Sequence, residues 1–161
     1  MSSISINSTG ANGGINMTST VDIGTAVNAL SANIRKEMER RSYLAANELR
    51  NASLEVLRGQ RHGRRYRVPG TKRYYTASAP GEPPAVRTGI FRLSWKPTTY
   101  AGFGSYISRI ETNYATKSGH NLGDILENGA GRIAARPHHE RILQKAQRPI
   151  ERIYGQPYLG G

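Results

Sequence analysis

The stretch that decides the fold is residues 22–58, which read DIGTAVNALSANIRKEMERRSYLAANELRNASLEVLR. Apolar or small residues recur along it in steps of three and four, apart from one interruption at Arg41. That spacing places them on one face of a helix. The residues of this face are Ile23, Val27, Leu30, Ile34, Met38, Ala45, Leu49, Ala52 and Val56. Ser19 and Asp22 have the spacing of a capping box at the start, and Gly59 is a natural stop.

The predicted helix is too long to be buried by one small domain. At 1.5 Å per residue, residues 22–58 would span about 55 Å. The apolar face is narrow, and the opposite face carries charges of both signs, as a solvated helix surface does. We therefore expect only part of the helix to be buried in its own domain, and the rest to pack on another subunit.

Composition narrows the class of protein. The chain has 161 residues, 23 Lys and Arg against 11 Asp and Glu, a formal net charge of +12, and no cysteine. Such a length predicts one domain, and the lack of cysteine excludes disulfides, Cys-ligated zinc and a thiol nucleophile. The positive charge favours polyanions or acidic protein faces as partners. No run approaches the roughly 18 apolar residues of a membrane span, so we expect no membrane partner.

The remaining chain divides by its local composition. Residues 1–20 are rich in Ser, Asn and Gly and show no period, so we predict a flexible N-terminal arm, either disordered or ordered on a neighbouring subunit. Residues 21–154 are predicted to form a single α+β domain, and residues 155–161 a short C-terminal tail.

Several shorter elements are predicted within the domain. Alternating residues on both sides of Pro69-Gly70 predict two short strands, and residues 104–112 predict another. Residues 90–95 fit a short helix and a strand about equally well. The closing helix should lie within residues 134–153, with Pro137 in its first turn and Pro149 kinking or ending it.

A basic segment lies directly after the long helix and contains no acidic residue. Its candidate contact residues are Arg61, Arg64, Arg65, Arg67, Lys72 and Arg73, interleaved with Tyr66, Tyr74 and Tyr75. Arginine offers a planar fork of donors to phosphate, and tyrosine can stack on bases. Two interpretations stay open: a nucleic-acid groove without base-specific readout, and a solvated loop or one that meets an acidic protein face.

The segment SAPGEPPA at residues 78–85 is a rigid loop. Proline and glycine forbid regular structure there, and Pro83-Pro84 favours an extended conformation. We interpret it as a strapped crossover or as an element that docks on a neighbouring subunit, through Pro80, Gly81, Glu82, Pro83 and Pro84.

No catalytic set and no cofactor site is predicted. The histidines are His62, His120, His138 and His139. Adjacent His138 and His139 would point apart on a helix, and no His-x-x-x-His or carboxylate-rich cluster accompanies them, so no metal site is expected. Asp124 and Glu127 could share one helical face, for which a structural role is favoured over acid–base chemistry.

Three blocks of the sequence resemble a family of tailed-bacteriophage neck and minor tail proteins, which includes tail-completion proteins related to protein Z of phage lambda. The blocks are SAPGEPPAVRTGIFRLSW at residues 78–95, Tyr114-Ala115, and ILENGAGRIAARPHHERIL at residues 125–143. The family pattern falls on Pro80, Gly81, Pro83, Pro84, Thr88, Gly89, Tyr114, Ala115, Glu127, Gly129, Ala135, Arg136 and Pro137. The chain departs from the pattern at Ile90-Phe91, at His138, where Phe is usual, and in a longer Tyr-to-Glu spacing.

The resemblance implies a fold, a place and a set of partners. The fold is α+β, with a long N-terminal helix packed across a small antiparallel sheet and a second helix at the C-terminus. The place is a hexameric or dodecameric ring at the head–tail junction or tail top of a virion, assembled in the host cytoplasm. The partners are other copies of the chain, the adaptor and stopper of the neck, the tail terminator or tail tube, and genomic DNA.

The resemblance does not imply an enzyme. Within this interpretation, we expect Arg136 to brace the fold or an interface through its guanidinium. The stopper, the adaptor and the tail terminator are alternative positions within the neck. The main rival interpretation is a freestanding basic protein that binds nucleic acid.

Overall fold

The computed structural model describes residues 3–8, 15–20, 23–102 and 104–158, and side chains from Gly24 onward. The strands are β1 (Ser3–Ser8), β2 (Ile15–Thr20), β3 (Arg65–Arg67), β4 (Tyr74–Thr76), β5 (Lys96–Gly102) and β6 (Ser105–Glu111). The helices are α1 (Ile23–Val56), α2 (Ile90–Leu93), α3 (Leu122–Asn128) and α4 (His139–Tyr154). The fold is therefore α+β, with a long N-terminal helix, antiparallel strand pairs and a C-terminal helix, as predicted.

The chain divides into two compact units, of which the smaller comprises Met1–Met38 and Tyr158–Gly161. In it, β1 pairs antiparallel with β2, with Ser3 opposite Thr20 and Ser8 opposite Ile15. No regular structure was predicted for residues 1–20, so this pairing corrects the prediction. The missed signal is the alternation of Ser and Ile in β1, which has the period of a strand. The flexibility of the arm stays a prediction, and Asp22 of the predicted capping box lies outside the described residues.

The larger unit, Glu39–Pro157, contains a core between α1, α4 and β6. Leu49 and Ala52 of α1 pack on Ile142 and Ala146 of α4, and Ile110 of β6 lies against them. Alanine at a helix contact allows the two axes to approach closely. The core is accordingly small, and it sits at the C-terminal half of α1.

From Gly24, where the description of side chains begins, to Arg40, α1 has no buried side chain. The buried residues described in α1 lie at or beyond Arg41, whereas the Val27 and Leu30 side chains are 53% and 44% exposed. The expectation that the helix is buried along only part of its length is confirmed; its packing on another subunit stays a prediction. In the part of the chain that the structure describes, none of the helices combines the length and apolar character of a membrane span.

Arg41, the residue that interrupts the apolar face, is 2% exposed. Its guanidinium donates hydrogen bonds to the carbonyl oxygens of Gln156 and Pro157, each at 2.5 Å. Hydrogen bonds from a charged donor in a buried site are strong ones. Arg41, which interrupts the apolar face, therefore connects α1 by hydrogen bonds to the segment that follows α4.

Three details of the elements differ from the predictions. Strand β5 was not predicted, because Pro97 was assigned to a turn; it lies in β5 opposite Ile110, at the edge of a two-stranded sheet, where proline is tolerated. Helix α4 begins after Pro137, which precedes the N-terminal cap His138, and continues through Pro149 to Tyr154. Residues 90–93 are helical, which decides between the two alternatives for that stretch.

We predict that Arg41→Met lowers the free energy of unfolding by about 2 kcal/mol, because the hydrogen bonds from a buried charged donor to two carbonyl oxygens are lost. Equilibrium urea denaturation measures the loss. The matched control is Arg148→Met on the exposed face of α4, for which we expect a change within about 0.5 kcal/mol. Equal losses in the two variants would contradict a structural role for Arg41.

Candidate functional site: a basic hairpin above a bound loop

The basic segment forms a β-hairpin, as predicted. Strands β3 and β4 pair antiparallel, with Tyr66 opposite Tyr75 and Arg67 opposite Tyr74. The Val68 N–H donates to the Arg73 carbonyl oxygen at 2.8 Å and closes the turn, in which Gly70 has a φ of +74°. Such a φ favours glycine, because other residues place Cβ against the backbone there.

Arginine and tyrosine side chains stack along this hairpin. The Arg65 guanidinium lies 4.7 Å from the centroid of the Tyr74 ring, and that of Arg64 lies 5.7 Å from the Tyr66 ring. The Tyr66 and Tyr75 rings are 6.0 Å apart across the strands. Cation–π contacts of this kind orient the guanidinium groups while leaving their N–H donors available.

The hairpin exposes its positive charge. Arg64, Arg65, Arg67, Lys72 and Arg73 are all exposed. Four carboxylates of the described residues form ion pairs with partners outside strands β3 and β4: Glu55, Glu82, Glu111 and Glu127. The result is a concentrated positive surface that attracts anions over roughly a Debye length, about 8 Å at physiological salt.

Arg61 differs from the other predicted contact residues. Its guanidinium turns toward the protein and donates to the Val56 carbonyl oxygen at 2.7 Å and to the Pro84 carbonyl oxygen at 3.1 Å. Burial lowers the pKa of this guanidinium below its ordinary value. Arg61 thus links the last turn of α1 to the proline loop, and its contact with an outside partner stays a prediction.

The proline loop is held by its own domain. Pro83 and Pro84 are buried, while Pro80 and Gly81 are exposed. The Gly81 N–H donates to the Ala135 carbonyl oxygen at 3.3 Å, and the Arg141 guanidinium donates to the Gly81 carbonyl oxygen at 3.2 Å. The surface that the loop leaves for a neighbour is therefore its Pro80-Gly81 tip, and the docking role remains a prediction.

Glu82 anchors the loop to the base of the hairpin. Its carboxylate accepts the Ala79 N–H at 2.8 Å and the His62 N–H at 3.1 Å, and lies 2.6 Å from Nδ1 of His62. The His62 side chain, followed by these two N–H groups, lowers the pKa of Glu82 to about 2. The anion is thus the form that fits the folded loop.

A second carboxylate, Glu127 at the end of α3, fixes the start of α4. Its Oε2 accepts the N–H groups of His138 and His139 at 2.8 and 3.2 Å. Gly129, with a φ of +77°, ends α3, and a Cβ there would lie 2.9 Å from the Ile133 carbonyl oxygen. Glycine is therefore required where the chain turns back toward α4.

The two adjacent histidines meet beside Glu127, so the expectation that they point apart is wrong. Their ring centroids are 4.6 Å apart. The prediction assumed that both residues are helical, but His138 is the cap before α4, with a φ of −138°. His138 is fully buried, and this burial lowers its pKa below the ordinary value. The departure from the family pattern at His138 was the available sequence signal.

Arg136 is half-buried in the segment that leads to α4. Its N–H donates to the Leu126 carbonyl oxygen at 2.6 Å, which ties this segment to α3. Arg136 lines a cavity of about 290 Å³ beside Pro84 and Phe91. Its Nη1 atom is buried and finds no hydrogen-bond partner among the described residues. The backbone N–H of Arg136 thus braces the segment before α4, whereas a bracing role of its guanidinium remains a prediction.

Comparison with protein-family models, with curated protein sequences and with solved structures gives no match for this chain.

We predict that Glu82→Gln destabilises the domain at neutral pH and that the difference from wild type shrinks as the pH falls. Because folding lowers the Glu82 pKa from 4.5 to about 2, its contribution is complete above pH 4.5 and is lost between pH 4.5 and 2. Thermal denaturation at a series of pH values measures the difference. Glu140→Gln, on the exposed face of α4, is the control; a pH-independent Glu82 difference would refute the anchoring role.

Proposed function

We propose that this chain is a structural subunit of a ring at the head–tail junction of a tailed bacteriophage, where it joins the tail to the head around the DNA channel. The observation that carries the proposal is the apolar face of α1, which continues beyond the core with Val27 and Leu30 exposed. A face of this kind is stable in water when another surface covers it. A neighbouring copy in a ring provides such a surface at every position.

A closed ring needs two different faces on each subunit. The N-terminal half of α1 supplies one of them. A groove of about 530 Å³ between β6 and α4 supplies a second, and the Leu143 side chain beside it is 60% exposed. Each face carries exposed apolar side chains, whose burial against a neighbour would stabilise the contact at roughly 25 cal/mol per Å² of apolar surface. The number of subunits, hexameric or dodecameric, stays open.

The basic hairpin suits a subunit of a channel that conducts DNA. Its exposed arginines can neutralise phosphates without reading sequence. The same charges would also hold the acidic rim of a neighbouring adaptor, stopper, tail terminator or tail tube. Both roles depend on the hairpin projecting its charge to a partner, and neither requires a reaction. We therefore propose assembly by surface complementarity and no catalysis.

The residues that carry the family resemblance also support the proposal. Gly81 of the proline loop is bonded to Ala135, Glu127 caps the segment after Pro137, and Gly129 closes against the backbone beside Ala135. These short motifs, far apart in sequence, thus act together in one junction.

We predict that Leu30→Glu lowers the fraction of tail-joined particles by at least about tenfold, because a buried charge at the ring contact costs more than 1.4 kcal/mol. Electron microscopy of assembled particles counts the joined fraction. The matched control is Ala32→Glu, also exposed but about 200° around the helix from Leu30. Equal assembly by the two variants would refute the role of the α1 face.

We predict that the triple variant Arg64→Glu, Arg65→Glu and Arg67→Glu folds normally but blocks head–tail joining, because these side chains are exposed and repel phosphate or acidic partners once reversed. Circular dichroism checks the fold, and a plaque assay with joined-particle counts checks the function. Normal infectious particles would exclude the hairpin from assembly.

The second candidate function is a freestanding nucleic-acid-binding protein, which the stacked arginines and tyrosines of the hairpin favour. The two candidates differ in the isolated monomer. A freestanding binder has DNA affinity that falls steeply with salt, with a logarithmic slope of about −0.9 per phosphate neutralised. Absence of such affinity in the monomer favours the ring subunit.

A further inference from the structure

Three side chains outside the basic hairpin converge between α3 and α4, and one of them, His139, also lines the groove between β6 and α4. Nδ1 of His138 lies 2.8 Å from Oε2 of Glu127, and Nδ1 of His139 lies 3.8 Å from Oε1 of the same carboxylate. One ligand atom from each of the three residues falls within 4.8 Å of the others. Two imidazoles and a carboxylate are a ligand set typical of zinc.

The surroundings of His138 favour a cation over a simple hydrogen bond at Nδ1. Nδ1 faces the Glu127 carboxylate and also lies 2.9 Å from the Arg136 carbonyl oxygen. Nε2 is buried, and the described residues offer it no hydrogen-bond partner; its ring packs edge-on with its centroid 5.8 Å from those of the Phe91 and Trp95 rings. With the hydrogen on Nδ1, the Nε2 lone pair is buried without a donor, which is costly.

The other tautomer of His138, with its hydrogen on Nε2, removes that cost but leaves the Nδ1 lone pair facing other lone pairs. A hydrogen on Nε2 can point at an aromatic ring, which is a weak but favourable contact. The Nδ1 lone pair then faces a carboxylate oxygen and a carbonyl oxygen, both of which repel it. A metal ion bound at Nδ1 resolves this conflict, since metal-ligating imidazoles carry their hydrogen on the other nitrogen.

The dimensions suit an ion after a small adjustment. Tetrahedral ligands at 2.0–2.1 Å are separated from one another by about 3.3 Å. The His139 side chain is 47% exposed, so its ring can move toward the carboxylate without disturbing the core. Its exposure also leaves one position open to water.

We propose that Glu127, His138 and His139 bind one divalent ion of the zinc class, with water as the fourth ligand. The sequence-based expectation of no metal assumed that the two imidazoles diverge, whereas their ring centroids lie 4.6 Å apart. Its role is to clip the end of α3 to the start of α4. It requires neither the ring nor DNA, so it stands independently of the proposed function.

The test uses the full, untagged chain after treatment with EDTA and dialysis into a buffer that does not bind metals. Calorimetric titration with ZnCl₂ should give one ion per chain, and Co²⁺ should develop visible absorption as it enters the same site. His139→Ala should weaken Zn²⁺ binding by at least about tenfold. Its exposed position on the first turn of α4 lets the variant fold, which circular dichroism verifies.

The matched control is His120→Ala, which removes an exposed imidazole from another loop and should leave the affinity for Zn²⁺ unchanged. Glu127→Gln, whose amide oxygen can still accept from the backbone, should also weaken binding and so separates metal ligation from capping. Two results would overturn the proposal: no Zn²⁺ binding by the wild-type chain, or equal affinities of the His139→Ala and His120→Ala variants.

Discussion

The Glu127 carboxylate is the constraint on which the rest of the structure depends. It belongs to α3, yet it accepts the first N–H groups of α4 and so decides where that helix begins. The start of α4 in turn sets the positions of Ile142 and Ala146 against the C-terminal half of α1. A negative group at a helix N-terminus also interacts favourably with the helix dipole. Arg141 of α4 also holds the Gly81 carbonyl oxygen, so the core and the proline loop both depend on where α4 begins.

Much of the fold could be predicted because its signals are local. The three- and four-residue steps locate α1, and alternation around Pro69-Gly70 locates the basic hairpin. Strand β5 could not be recognised in the same way, since Pro97 obscures it and its partner supplies the pairing. Helix α4 starts later than predicted, because the position of its cap depends on Glu127, a residue of another element. Long-range contacts of this kind leave no period in the sequence.

The sequence predicted which residue types form the candidate sites, but it did not predict how those residues are arranged. The excess of arginine and the absence of acids indicated a charged surface, and the hairpin exposes most of it. The inward turn of Arg61 depends on carbonyl groups of Val56 and Pro84, which only the folded loop brings near. The meeting of His138 and His139 likewise depends on a non-helical φ at the cap. The residue types thus indicated which kinds of contact the chain can make, whereas the backbone conformation decided which of these residues lie close together.

The burial of Arg41 has a consequence for the integrity of the chain's last residues. Its guanidinium is satisfied by carbonyl groups of residues 156 and 157, beyond the last helix. Proteolytic trimming or a premature stop codon that removes these residues would take two carbonyl acceptors from a buried guanidinium, although no core side chain is lost. A short truncation at this end would therefore destabilise the domain as a core substitution does, which would promote degradation and aggregation. Cells would then hold little of the shortened product, even though every helix and hairpin is still encoded.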